Sequence, residues 1–460
     1  MSFSPERSEI RFGCGLSPQI APPPTLDALL AGLDGPDGMA ARFPVVTHDD
    51  YWQRRAHWLD LRKQKRKASG ARAQALSDQT KAVNRSFRAD LLRGLGQTVL
   101  RWSGTQTGFR ERLALFWADH FTTVGKTGPQ RSAVSIYVDA AIRPNLSGRF
   151  GDLLVAAVTH PMMLTYLDQR VSVGPQSAFA RRKGKSRGLN ENLAREVLEL
   201  HTLGVDGPYS QSDVRQLAEL FTGLTVGRTG TVEFRPGWAE PGEEMILGRH
   251  YGGNPARLEA VQSALHDLAV HPATADHIAR KLAVHFVSDT PDPGLVAHMS
   301  ARFLATGGDL RAVYAAMLEH PAAWADGPGN VKPPFDFIAS ACRALAVAPE
   351  RIETAKDSQM NRLILQPARA MGQFWQRPNG PDGWPEADAA WITPQGLSAR
   401  LRWAMAVPRR LLPDLPDPRA FVDTALGAAA PEPVRFAARA AETRAEAVGL
   451  VLSAPAFQRR

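Results

Sequence analysis

The pattern that decides the fold lies in the middle of the chain, in Leu153-Leu154-Val155-Ala156-Ala157-Val158-Thr159-His160-Pro161-Met162-Met163-Leu164-Thr165-Tyr166-Leu167. Apolar residues recur at helical spacing before His160, and a second set with the same spacing follows Pro161. Proline disfavours the helical conformation of the residue before it but suits the first turn of the next helix. The stretch therefore predicts two helices joined at a corner. It does not predict a membrane span, which needs about 20 uninterrupted apolar residues.

The same corner recurs along the sequence, at His271-Pro272, at His320-Pro321 and, without a histidine, at Ala454-Pro455. Because the fourth case has no histidine, a turn between helices explains the set better than a metal site does. Helical spacing of apolar residues also extends over about 49–67, 86–102, 108–122, 190–203, 211–222, 256–268, 274–286, 294–304, 309–319, 332–346, 396–406, 418–426 and 432–453.

Only one short region favours strands. Alternating residues at about Thr231–Arg235 and Glu244–Gly248 predict one small hairpin, joined through two Pro-Gly pairs. The fold class predicted is mainly α, a large multi-helix protein with a small β-hairpin insert. We expect an N-terminal helical segment (1–84), a central helical body (85–225), a hairpin-bearing insert (226–255) and a C-terminal helical region (256–460).

Composition and charge exclude several classes of protein. The 460 residues are 44% hydrophobic and 22% charged, which is ordinary for a folded chain, and two cysteines cannot build a disulfide framework. The formal net charge is +9, and basic residues concentrate at 54–72 and 181–187. The runs 62–67 and 181–187 contain no aromatic residue for base stacking, so nucleic acid is not the partner we expect. An acidic protein or polymer fits these regions better.

The first residues, Met1–Arg7, have neither the basic region nor the apolar core of a secretory signal. The sequence therefore predicts a cytoplasmic protein without a signal peptide. Nucleotide-binding glycine loops, the GxSxG elbow of serine hydrolases and the HExxH motif of metalloproteases do not occur in it.

The segment most informative about function is Asn190-Glu191-Asn192-Leu193-Ala194-Arg195-Glu196-Val197-Leu198-Glu199-Leu200-His201-Thr202-Leu203-Gly204. Asn190 is predicted to cap this helix and Gly204 to end it. At about 100° per residue, one face of the helix holds Asn192, Arg195, Glu196 and Glu199. His201 falls among the apolar residues of the opposite side.

Two interpretations of this polar face stay open. It is either an ion-paired surface, with Arg195 and Glu199 as an i,i+4 pair, or a carboxylate pair that serves as general acid and base or binds a cation. The second interpretation requires the face to point into a cleft.

A second segment, 113–123, places apolar residues and His120 on one helical face, next to Asp119. A histidine on such a face is typically a hydrogen-bonded core residue. The alternative is that His120 and Asp119 project toward the polar face of the 190–203 helix. One histidine with two carboxylates would suit a divalent metal ion.

Several stretches, taken in order, resemble a bacterial family known as domain of unknown function 1800. They are 11–15, 116–121, 149–154, 161–168, the segment 190–205, 211–214, 222–223, 246–248, 372–373, 383–385 and 455–460. The resemblance spans nearly the whole chain, and 190–205 is its most distinctive part. It implies no activity, because the family has none assigned.

One departure from the family pattern concerns a His-Asp pair that members often carry before the Ile-Leu-Gly stretch. This chain has Ala239-Glu240 there, so a metal site built on that pair would be altered or absent. The resemblance also implies a partner, a protein of the family known as domain of unknown function 1501, whose members carry export signals. Export of this chain together with such a partner is the alternative to a cytoplasmic location.

The sequence thus supports two hypotheses of function. The first is a hydrolase-like enzyme using acid–base or metal-assisted chemistry, with Glu196, Glu199 and His120 as catalytic residues and a divalent metal as the cofactor such a group would take. Asn192, Arg195 and Asp119 would bind the ligand. The second is a non-catalytic accessory protein whose basic regions bind an acidic partner.

Overall fold

The computed structural model describes residues 3–183, 188–327 and 329–460, and these form a mainly α-helical protein, as predicted. The first helices are α1 (Pro5–Arg11), α2 (Leu26–Ala31), α3 (Gly38–Arg42), α4 (His48–Lys65), α5 (Gly70–Gly104), α6 (Gly108–His120) and α7 (Gly128–Tyr137). The central ones are α8 (Phe150–Val158), α9 (Pro161–Tyr166), α10 (Ala178–Lys183), α11 (Asn192–Glu196) and α12 (Gln211–Leu220).

The second half of the chain is mainly helical in the residues that the structure describes. Its helices are α13 (Leu258–Ala269), α14 (Pro272–Phe286), α15 (Pro293–Ala305), α16 (Leu310–Glu319), α17 (Pro334–Ala344), α18 (Pro349–Glu353), α19 (Asp357–Met360), α20 (Gln366–Ala370), α21 (Pro394–Ala406), α22 (Pro408–Leu411), α23 (Pro418–Leu426), α24 (Glu432–Ala440), α25 (Arg444–Ser453) and α26 (Pro455–Gln458). In the described ranges, no helix has both the length and the apolar character needed to cross a membrane.

The strands form two separate hairpins, whereas the sequence predicted one. β1 (Leu224–Val226) pairs with β2 (Val232–Phe234), and β3 (Gly242–Ile246) pairs with β4 (Arg249–Gly253), all antiparallel. The predicted pairing of 231–235 with 244–248 is therefore wrong. A two-residue turn at Leu247-Gly248, with φ of 48° and 77°, closes β3 onto β4, because such turns match the twist of the strands they join.

The proline corners are confirmed, and the histidines before them have a capping role. His160 Nδ1 accepts a hydrogen bond from the amide of Met162 (3.1 Å), and His271 and His320 do the same for the residue two places on. Each imidazole thereby satisfies an amide that a helix start leaves free. At Ala454 the corner forms without a side-chain cap.

Two helical predictions differ from the structure in extent. The helix expected at 86–102 is α5, which begins earlier, at Gly70. The sequence did not predict its first turns, because they are polar and lack an apolar stripe. The helix expected over 432–453 is divided into α24 and α25, since the Thr443 side chain caps the amide of Glu446 and starts a new helix. The boundaries expected at 84, 225 and 255 stay predictions.

Buried apolar residues form two clusters, both of which include part of α5. The first draws mainly on residues 109–324 and includes Phe87. The second draws on α17 and the helices after it, together with Leu92, Leu95, Val99 and Trp102. The long helix α5 therefore links the two halves of the core, and the candidate site lies where they meet.

Candidate active site

A cavity of about 1340 Å³, including the solvent at its opening, lies among α5, α6, α7 and two C-terminal segments, 331–336 and 373–391. Its aromatic wall consists of Trp102, Phe335, Trp375, Trp384 and Trp391. A concave, largely apolar space with a few polar groups is the usual form of a small-molecule site.

Helix α6 supplies one side of the cavity. Its lining residues recur with helical spacing, from Glu111 and Arg112 through Leu115 to Ala118 and Asp119. Arg112 and Asp119 are seven residues apart, which is about 10 Å along a helix axis. The helix therefore presents a cation near one end, apolar residues in the middle and a carboxyl group near the other end.

Asp119, predicted as a ligand-binding residue, lies in this cavity wall. Both carboxylate oxygens accept from the backbone N–H of Trp384, at 3.0 and 3.2 Å. Burial raises the pKa of Asp119 to about 7, although the Trp384 amide and Lys281 oppose the shift, and Glu386 and Asp382 add to it. At neutral pH this carboxyl group is present in comparable amounts of acid and carboxylate.

Glu196 is a second carboxyl group with a pKa near neutrality. Burial, the neighbouring Glu199 and Asp382 raise its pKa to about 7, against the effect of Arg195. Asp382 thus raises the pKa of both Glu196 and Asp119. Of the two carboxyl groups, Asp119 lines the cavity and Glu196 does not.

The remaining residues of the predicted polar face form an ion-paired surface. Arg195 contacts Glu199 (3.3 Å) and Glu191 (3.4 Å), and donates to Gln211 (3.0 Å). The Arg195 side chain is 39% exposed and that of Glu199 24%. Asn192 is exposed. The ion-paired interpretation therefore describes Arg195 and Glu199, whereas Glu196 retains the properties of an acid–base group.

His120 is buried and is oriented toward the backbone of the Asn190–Gly204 segment. Its Nε2 lies 3.3 Å from the carbonyl oxygen of His201, and because a carbonyl only accepts, Nε2 carries the proton. Its Nδ1 has no hydrogen-bond partner among the described residues. Burial, together with the positive charge of Lys281, lowers the pKa of His120 well below its usual value. His120 is therefore a neutral imidazole that holds the segment 197–202 in place.

The segment after Glu196 is a π-helical turn, Val197–Thr202, which the assumption of 100° per residue does not describe. Leu203 N–H bonds to the carbonyl of Leu198, five residues back. His201 is buried on the apolar side, as predicted. π-helical turns within helices frequently occur at functional sites, because they displace side chains from the regular helical face.

Sequence reasoning missed the polar face of α14, which holds His277, Lys281 and His285 at i, i+4 and i+8. His277 Nε2 donates to the carbonyl of Leu200 (3.1 Å), and Lys281 forms an ion pair with Glu386 (2.8 Å). His285 lines the cavity. The helical spacing of these residues is visible in the sequence, but their partners are not, because only the tertiary fold brings Leu200 to His277 and Glu386 to Lys281.

The described residues bring together no group of three or more His, Cys, Asp or Glu side chains placed to hold a metal ion. Metal-assisted chemistry, one form of the enzyme hypothesis, therefore has no set of metal ligands among the described residues. Glu240, which occupies the position where the family pattern has an aspartate, accepts from the backbone N–H of Gln176 (2.9 Å).

The two basic regions are largely exposed where they are described, although Arg54 and Arg55 are half-buried. At the junction of α4 and α5, the side chains of Lys63, Lys65, Arg66, Lys67 and Arg72 are exposed. Of the cluster 181–187, Arg181 and Arg182 are exposed residues of α10, and residues 184–187 lie outside the described residues.

Comparison with known families assigns the chain to one of them. Residues 15–459 match the family described as Protein of unknown function (DUF1800), and the chain belongs to it, which confirms the resemblance found in the sequence. No curated protein and no solved structure matches the chain. The family description names no activity.

Proposed function

We propose that this protein is an acid–base enzyme with hydrolase-like chemistry, and that Asp119 exchanges a proton with a small molecule bound in the cavity. The observation that carries the proposal is a carboxyl group with a pKa of about 7 in the wall of an aromatic-lined cavity. A group whose pKa is near the working pH is the most effective general acid and base, because both of its forms are present.

In this reaction, the carboxylate form of Asp119 accepts a proton from the attacking water as the water oxygen bonds to the carbon or phosphorus of the substrate. The resulting acid then gives that proton to the leaving oxygen or nitrogen as the bond to that atom breaks, which restores the carboxylate. The backbone N–H of Trp384 keeps the carboxylate oriented through its bonds to both oxygens. The tryptophans of the wall limit the water in the cavity, and a lower dielectric strengthens the electrostatic effect of each charged group.

Glu196 is the second carboxyl group of the proposal, and the charge of Asp382 raises its pKa as it raises that of Asp119. The charges of Glu199 and Arg195 act on the pKa of Glu196 in opposite directions. His120 acts through the 197–202 turn, whose backbone it holds. The predicted roles of Glu199 and His120 in catalysis, and of Asn192 in ligand binding, stay predictions.

The proposal is tested by assaying the purified protein with p-nitrophenyl esters, phosphates and glycosides between pH 5 and 9. We expect one class to be hydrolysed with a break near pH 7, and Asp119→Asn to lower the rate by about 10²–10⁴. Glu350→Gln, which changes an exposed carboxylate on α18, is the matched control and keeps the full rate. Equal rates for Asp119→Asn and the original protein, or hydrolysis of none of the three classes, would contradict the proposal.

The exposed basic residues between α4 and α5 favour a second function, binding to an acidic protein or polymer. Lys63, Arg66, Lys67 and Arg72 are close in sequence and exposed, and such a group attracts polyanions. A protein of the domain of unknown function 1501 family is the partner that the sequence resemblance suggests. A location in the cytoplasm, or export with that partner, stays a prediction.

Binding of poly-glutamate to the full chain tests this second function. We expect affinity that weakens as salt increases and is lost when Lys63, Arg66 and Lys67 are changed to glutamate, because screening and charge reversal both remove the attraction. Charge reversal at Arg409, Arg410 and Arg419, which are also exposed, is the matched control. Equal loss in both triple variants would indicate nonspecific attraction and contradict a defined surface.

A further inference from the structure

The cavity is lined by buried cations whose charges are not balanced in the same way. Arg101 donates to both oxygens of Asp139, at 2.6 and 2.7 Å. Arg143 donates to both oxygens of Glu111, at 2.6 and 2.8 Å, and also to Asp37. These two arginines are fully paired, so neither has charge left for a ligand.

The third group of cations is different, because it shares one carboxylate. Arg112, Lys332, Arg400 and Arg460 are each between 1% and 7% exposed, and all four interact with Asp336. Asp388, the other nearby carboxylate, is paired with Arg459 at 2.8 Å. We name Arg112, Lys332, Arg400 and Arg460 the cation cluster. Buried charges require partners, and the cluster has more positive charge than Asp336 balances.

Two members of the cation cluster line the cavity, and each retains hydrogen-bonding capacity. Arg112 Nε is 3.9 Å from Asp336, too far for a hydrogen bond, and Nη2 is 3.5 Å from His285 Nε2. Arg460 donates to Asp336 through Nη1, but its buried Nε has no partner among the described residues. A buried donor that lacks an acceptor is costly, and an anionic ligand would supply the acceptor.

The pKa values of Arg112 and Lys332 are consistent with this excess of positive charge. Burial and the positive charge of Arg460 lower the pKa of Arg112 to about 9, although Asp336 opposes the shift. Burial lowers the pKa of Lys332 to about 7, with Arg112, Arg460 and Arg400 adding to the effect. A negative charge bound here would raise both values.

We propose that the cation cluster binds the anionic group of a small aromatic acid, a carboxylate or a phosphate, through Arg112 and Arg460. The aromatic wall formed by Trp102, Phe335 and Trp375 would cover the body of such a molecule. Asp119 lies two helical turns of α6 from Arg112, so the part of the molecule that reacts would lie about 10 Å from its anionic end. This inference rests on the proposed function, since it names the substrate class of the same cavity.

Tryptophan fluorescence and thermal unfolding of the full chain test the proposal, with benzoate, phenyl phosphate and the uncharged benzamide as probes. We expect benzoate or phenyl phosphate to quench the fluorescence of the cavity tryptophans and to raise the Tm, and benzamide to do neither. The preference of one anion over the other distinguishes a carboxylate from a phosphate substrate. No response to either anion, or an equal response to benzamide, overturns the proposal without the need for any variant.

Variants separate this inference from the proposed function. Arg112→Gln is expected to weaken anion binding by about ten- to hundredfold, because one charged hydrogen-bond donor is removed. Glu350→Gln, on the exposed surface of α18, is the matched control and leaves anion binding intact. Unchanged anion binding in folded Arg112→Gln overturns the inference, whereas unchanged hydrolysis in Asp119→Asn overturns the proposed function alone. If Arg112→Gln does not fold, the comparison of benzoate with benzamide on the original chain decides.

Discussion

Glu9 and Arg343 are 334 residues apart in the chain and form a buried ion pair, with Arg343 Nη2 at 3.2 Å from Glu9 Oε1. Both residues are at most 2% exposed. Arg343 also donates to the carbonyls of Gly15 (2.6 Å) and Thr105 (2.7 Å). One side chain of α17 therefore binds α1, the loop after it and the end of α5, and joins the first residues of the chain to the C-terminal part of the core.

The first prediction follows from this pair. Arg343→Met is expected to lower the free energy of unfolding by about 3–5 kcal/mol, because it leaves Glu9 buried without a cation and removes the donor of two backbone carbonyls. Urea unfolding measures the loss. Arg351→Met, on the exposed surface of α18, is the matched control and should change stability by less than about 0.5 kcal/mol. Similar losses in the two variants would show that the pair does not hold the two parts together.

The second prediction concerns the capping histidines. His271→Ala is expected to cost about 0.5–2 kcal/mol, because the amide of Ala273 loses its acceptor. His271→Asn should restore most of the stability, since asparagine is among the best capping residues. Thermal unfolding of both variants, with exposed His57→Ala as the control, measures the effect. Equal losses for the alanine and asparagine variants would assign the cost to packing instead of capping.

Helix positions followed from local sequence, whereas the strand pairing did not. The corner at His160-Pro161 was predictable because proline restricts the residue before it, whatever the rest of the fold. The hairpin β3–β4 was missed, because the strand predicted at 244–248 includes Leu247-Gly248, which form the turn instead. The first turns of α5 were missed because an exposed helix has no apolar stripe to detect.

The candidate site was predictable only in its local parts. Asp119 and Glu196 were identified from the segments that carry them, but their common neighbour, Asp382, lies in a loop without a helical pattern. The polar face of the 190–203 segment was predicted from 100° per residue, the rotation of a regular α-helix. The π-helical turn after Glu196 departs from that rotation. The cation cluster combines Arg112 of α6, Lys332 just before α17, Arg400 of α21 and Arg460, so only the tertiary fold brings it together.

The third prediction uses the neutral state of His120. An unfolded histidine takes up a proton below about pH 6.5, whereas buried His120 does not, so the folded state loses stability as the pH falls through this range. One such group contributes about 1.4 kcal/mol per pH unit. His120→Asn retains a donor for the His201 carbonyl but does not titrate. We therefore expect the difference in stability between the original protein and His120→Asn to shrink from pH 6.5 to pH 4.5. Parallel curves would mean that His120 is charged in the folded protein.

The fourth prediction tests the charges around Glu196. Glu199→Gln removes a like charge, so it should lower the pKa of Glu196 from about 7 toward the usual range of a glutamate. Arg195→Met removes the opposing cation and should raise it. Carbon-13 NMR titration of labelled glutamate carboxyl groups measures both shifts. Shifts of the same sign in the two variants would contradict the assignment of Glu199 and Arg195 as opposing influences.

The fifth prediction concerns Asp119 and the pH dependence of stability. The usual pKa of an aspartate is 3.8, and that of folded Asp119 is about 7, so between these values the folded state holds a proton that the unfolded state has released. The original protein should therefore lose stability relative to Asp119→Asn as the pH rises from about 4 to about 7. A shift of about three units limits this loss to about 4 kcal/mol, with no further change above pH 7. Glu350→Gln, measured in parallel, should show no such trend. If Asp119→Asn follows the original protein across this range, Asp119 is ionised in the folded state and cannot serve as the acid at neutral pH.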